Sequence, residues 1–170
     1  MLLKMKSLLS FLVALFVLVV PCSATDNVSF FSRNASLLNG SLSILATASL
    51  TYEFGLADYR LAGRERVLGV GGTIGYAFAS YWGACARLSL HKSFNSQWNV
   101  YYGILGGVYG VLQREISPQP MYAPYLGLIF LCSRHWGINA EVAPLFLHSF
   151  IENQVVTPLP VLSLGVMQIF

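Results

Sequence analysis

A chain of 170 residues that is 55% hydrophobic and only 10% charged has too few charges to clothe an ordinary soluble domain. Its formal net charge is +3, and without Lys4 and Lys6 near the start it falls to +1. Nothing electrostatic therefore recommends nucleic acid as a partner, and the length holds one domain.

Met1–Ala24 has the make-up of a secretory signal peptide. Lys4 and Lys6 precede an apolar stretch over Leu8–Val20, and Cys22-Ser23-Ala24 offers a small-residue cleavage site. Cleavage after Ala24 is expected, leaving 25–170 as the mature domain. Pro21 stands where a lipoprotein needs a small residue, so acylation of Cys22 is not expected.

The mature chain then reads as strands. A first strand is expected over Val28–Leu38, turning at Asn39-Gly40, a strong two-residue hairpin signal. Ser41–Leu56 follows as a long alternation: Leu42, Ile44, Ala46, Ala48, Leu50, Tyr52, Phe54 and Leu56 on one face, mostly Ser, Thr and Glu on the other, with Leu45 out of place. Asp58–Arg66 reads as a connection. The alternation resumes over Leu68–Trp82, Trp82–His91, Trp98–Leu112, Met121–Leu131, Trp136–Phe146 and Val161–Phe170. Charged or proline-bearing connections separate these segments.

Strands this long suit a sheet that crosses a bilayer, and such a sheet must close on itself, because lipid cannot satisfy an open edge. The fold class predicted is all-β, an antiparallel up-and-down transmembrane barrel of eight strands. A polytopic helical protein is the competing membrane reading: Val67–Ala86 is free of charge and long enough for a helical span. Charge placement favours the barrel. Glu53, Arg87, His91 and Glu141 all fall on the inward parity, away from lipid, where Arg costs about 2–4 kcal/mol. Trp82, Trp98 and Trp136 fall outward at strand starts, as an aromatic girdle requires.

The last segment carries a more specific signal. In Ser163–Phe170, apolar residues alternate and end on an aromatic, with Leu164, Val166 and Phe170 in place and Gln168 departing from the pattern. This resembles the assembly signal of bacterial outer-membrane barrels. With the leader and strand cadence, the chain resembles the small eight-stranded outer-membrane proteins of the OmpX, OmpA-barrel and OmpW kind. The resemblance implies residence in the bacterial outer membrane, contact with its lipid and with the barrel-assembly machinery during insertion, and a monomer. It also implies passage of small hydrophobic solutes, since OmpW-like barrels have apolar interiors.

An eight-stranded barrel is just wide enough to be filled by its own side chains. Glu53, Arg87, His91 and Glu141, with Tyr101, Tyr109 and Asn139, are the lumen candidates, and Arg87 is expected to pair with Glu53 or Glu141. Leu45, Leu105, Ile129, Leu145, Met167 and Ile169 make the inward face unusually apolar. The expected function is a non-enzymatic barrel acting as a narrow solute conduit, or a structural or adhesive barrel acting through its loops. One enzymatic alternative is the His91-x-Ser93 pair, similar to lipid A deacylase barrels, but His91 points inward, away from lipid. Cys85 and Cys132 fall on opposite faces, which disfavours a disulfide. His91, His135 and His148 are too far apart to suggest a metal site, and Gly69-Val70-Gly71-Gly72 lacks both the third glycine of a dinucleotide fingerprint and the Lys of a phosphate loop. No cofactor is expected.

Overall fold

Period-two patterning becomes eight strands: β1 (Ser36–Ser43), β2 (Thr47–Leu61), β3 (Arg64–Ala77), β4 (Tyr81–Ser93), β5 (Trp98–Val111), β6 (Gln119–Leu131), β7 (Trp136–Leu147) and β8 (Leu159–Ile169). The computed structural model describes residues 31–44, 47–61, 64–77, 81–112, 118–147 and 159–170. The leader Met1–Ala24 lies outside the described residues, as do Val28, Leu45, Phe78 and His148. Each strand pairs antiparallel with its chain neighbour, and β1 pairs with β8, so the sheet closes and has no edge. The closed sheet overturns the helical alternative. Among the described residues no helix is long and apolar enough to cross a membrane.

Almost everywhere in the ladders the paired residues share parity: Gly40 faces Leu50 and Val166, Ile74 faces Ala84, and Ile104 faces Pro124. Odd-numbered residues therefore face the lumen and even-numbered residues face outward, except in β2 beyond its bulge, where Asp58 pairs with Val67. Leu50, Ile74, Ile104, Leu126, Leu162 and Leu164 are among the exposed outward side chains of an apolar belt. Parity slips only at a bulge between Gly55 and Ala57.

The first hairpin differs from expectation. Asn39-Gly40 is not a turn but the middle of β1, and the chain reverses instead between Ser43 and Thr47, where Thr47 N–H donates to Ser43 Oγ (3.2 Å). Ser41–Leu56 is thus two strands. A three-residue loop preserves parity, so the alternation runs through the turn without a break. The start of the chain differs as well. Over 31–35 there is a turn, with Asn34 at φ 66°, that folds Phe31 into the lumen. Asn34 N–H donates to the Gly55 carbonyl (2.8 Å) and Gly55 N–H to the Ala35 carbonyl (2.9 Å). Only a glycine fits at 55, because a Cβ there would strike the Ser32 backbone. Asp58–Arg66 is likewise not a loose connection: β2 and β3 continue as a paired ribbon to Leu61 and Arg64.

Both chain ends of the barrel, with the turns at 94–97 and 132–135, lie at one end, here the terminal end. Ser43 and Thr47, where β1 ends and β2 begins, lie at the far end. Pairing of β6 with β7 is interrupted between Tyr122–Phe146 and Leu126–Val142. Pro124 and Pro144 fall in that gap and have no N–H to give.

Candidate functional site in the barrel lumen

The four ionisable residues of the inward parity meet at mid-lumen as two pairs. Arg87 on β4 reaches across the lumen to Glu141 on β7 with two parallel bonds, Nη1 to Oε1 at 3.2 Å and Nη2 to Oε2 at 2.5 Å. That bidentate fork is the strong form of an Arg–carboxylate contact. Tyr101 donates its hydroxyl to Glu141 Oε2 (2.9 Å), and Asn139 Nδ2 donates to the Tyr101 oxygen (3.1 Å). The guanidinium also lies 4.0 Å from the centre of the Tyr125 ring.

Glu53 does not pair with Arg87. Its Oε1 is held by Ser89 Oγ and by His91 Nε2 (2.6 Å), all three residues being buried. The His91 ring stacks on Tyr101 at 5.3 Å and is capped by Phe31 at 4.5 Å. The layer therefore runs from Phe31 through His91 and Tyr101 to Glu141 and Arg87. Its bulk is accommodated by inward glycines. A Cβ at Gly127 would enter the Tyr101 ring, one at Gly69 would strike Glu53 and Ser89, and one at Gly165 would press on Asn39 and Asn139.

This layer divides the lumen. Toward the far end lies a cavity of about 570 Å³, and at the terminal end a recess of about 660 Å³ beside Phe31, Arg66 and Phe94. Between them is a void of only about 10 Å³, at the lower limit for one water. Chemically, the arrangement pairs its own charges and fills the lumen at this level with side chains.

The remaining sequence candidates fall as follows. Leu164 and Phe170 are exposed on the outer face with Val166 beside them, and Phe170 seals the β1–β8 seam through two backbone bonds with Ser36 (2.9 and 3.2 Å). Trp98 and Trp136 stand at the terminal end, with Trp98 against Phe130 at 4.7 Å. Trp82 stands at the far end, where its ring covers Gly110 on the outer face; Tyr122 and Phe146 stack on the same face at 5.3 Å. The His91–Ser93 pair is not assembled: Ser93 Oγ accepts from Asn99 Nδ2 (3.3 Å), and His91 Nε2 is engaged by Glu53 and Ser89. Cys85 lines the lumen, Cys132 sits in a turn, and no disulfide joins them.

Phe31, Ser89 and Tyr125 belong to the layer although the sequence reading did not single them out. Tyr125 and Ser89 were legible as inward by parity, and the inward glycines marked where bulk would be needed. Phe31 carried no such signal, because its segment read as strand.

A closed, all-antiparallel barrel of eight strands, apolar outside and charge-bearing within, is the fold of small outer-membrane-type β-barrels. The fold is similar to the crystal structure of the N-terminal β-barrel domain of OprF from Pseudomonas aeruginosa, at a TM-score of 0.51 and 13% identity over 81% of this chain and 98% of that one. A structure from a de novo design of transmembrane β-barrels matches at a TM-score of 0.47 and 11% identity, over 82% and 98% of the two chains. No family model and no curated protein matches the chain. At these identities the likeness concerns fold.

Proposed function

We propose that this chain is an integral outer-membrane barrel whose resting lumen is closed by the Arg87–Glu141–Tyr101 layer, and that it performs no catalysis. The observation that carries the reading is the outer belt. Exposed Leu, Ile and Val side chains stand on the outer face of the closed sheet on strand after strand, and a continuous apolar belt of this kind is suited to lipid. Tryptophans toward both ends fit headgroup depth. The leader-like Met1–Ala24 supports export, and Leu164, Val166 and Phe170 are the residues proposed to engage the assembly machinery. A second reading, passage or uptake of small apolar solutes, is favoured by the 570 Å³ cavity, which sits above the closure like a cup.

Refolding from urea into lipid vesicles, followed by circular dichroism and planar-bilayer recording, tests the main reading. Expected are a β spectrum, lipid-dependent folding and little resting conductance. A helical spectrum, or folding indifferent to lipid, would overturn it, and a large steady conductance would refute the closure.

A further inference from the structure

The large cavity has two unlike walls. On one side β1, β2 and β3 present Ser41, Ser49, Thr51 and Thr73; on the opposite side β5 to β8 present Leu105, Tyr109, Met121, Leu145 and Val161. The hydroxyls are tied in pairs across the sheet, Ser41 to Ser49 at 2.7 Å and Thr51 to Thr73 at 2.8 Å. Each hydroxyl can donate once and accept twice, so every pair keeps capacity for a further partner. At the floor, Arg87 and Glu141 cancel each other's charge. The polar side of the cup that a ligand can reach is therefore the hydroxyl wall.

We propose that this cup is a binding site for neutral, hydroxyl-bearing ring compounds, phenolic or alicyclic, with the ring on the Leu105–Met121–Leu145 wall and the hydroxyl on the Ser/Thr wall. Its volume lies within the range of small-molecule sites. A charged ligand is disfavoured, because the floor has no uncompensated charge to receive it. An alkane-like ligand would leave the hydroxyl wall unused. The proposal deepens the solute reading above and rests on it.

Trp82 packs on Gly110 on the outer face, so the reporter is placed inside, at Leu147 on the wall of the cup. In the refolded barrel carrying Leu147→Trp with Trp82→Phe, Trp98→Phe and Trp136→Phe, the introduced indole is the sole one and reports contact with a heavy-atom quencher through its own emission. Two probes differing by one hydroxyl, 4-bromophenol and bromobenzene, are titrated against its fluorescence. Expected is saturable quenching by 4-bromophenol at about tenfold lower concentration than by bromobenzene, the worth of one net hydrogen bond. Ser41→Ala with Ser49→Ala removes a hydroxyl pair without orphaning either member and should bring the two probes closer together. Ala143→Phe, which fills the cup, should abolish the saturable component for both. Equal affinity for the two probes would overturn the hydroxyl preference while leaving an apolar-solute site standing. Absence of saturable quenching by either would overturn the solute reading itself, and the membrane reading would still be judged by insertion alone.

Discussion

Removing the guanidinium of Arg87 should cost the barrel about 3–5 kcal/mol, the usual penalty for stranding one partner of a buried ion pair. The geometry accounts for that size. Arg87 gives both faces of its fork to Glu141 and a weaker contact to Thr73 at 3.5 Å, and it lies over the Tyr125 ring. With Ala at 87, Glu141 keeps only the Tyr101 hydroxyl among these partners. Replacing both charges, Arg87→Met with Glu141→Gln, should recover most of the loss, because neither charge is then left buried alone. The coupling between the two sites should reach roughly 2 kcal/mol. Glu53→Gln, whose partners are Ser89 and His91, should couple to Arg87 more weakly. Urea titration of the vesicle-refolded variants, read by tryptophan fluorescence, measures all four terms. Additive losses at 87 and 141, or a loss at Arg87→Ala under about 1 kcal/mol, would refute the pairing as a stabilising closure.

Two further outcomes follow from facing and packing. Ile74, mid-strand and 60% exposed on the outer belt, should cost about 2–4 kcal/mol as Ile74→Arg in lipid, whereas Thr47→Arg at the lumen rim should cost far less; equal losses would contradict the inside–outside assignment. Gly103→Val should prevent refolding, because a Cβ there runs into the Leu88 carbonyl, while Gly106→Val meets open space and should fold with wild-type yield, which a gel-based folding assay distinguishes.

Much of the site was legible before any fold was known. Glu53, Arg87, His91 and Glu141 could be placed inside, and Leu50, Ile74 and Leu164 outside, from alternation alone. Parity survives each hairpin because the paired residues share it. The same property concealed the first turn: Ser41–Leu56 alternates as though unbroken, and Asn39-Gly40, a good turn pair in isolation, is used as strand because β2 and β8 hydrogen-bond it from both sides. The ribbon over Asp58–Arg66 was hidden for another reason. Its charges read as loop, yet backbone pairing needs no apolar face.

Alternation is a local property of an extended backbone, so the sequence by itself determined which side chains face lumen and lipid, while the eighth strand had to be inferred from the need for closure. It could not choose a partner for Arg87. Glu53 stands on the same rung, two strands away through Gly71, while Glu141 lies on β7, across the bore. That Arg87 forks onto Glu141, that Glu53 turns to His91, and that a cup with one hydroxyl wall remains above them follow from stagger and diameter. Those quantities do not exist until β1 meets β8 and the sheet closes.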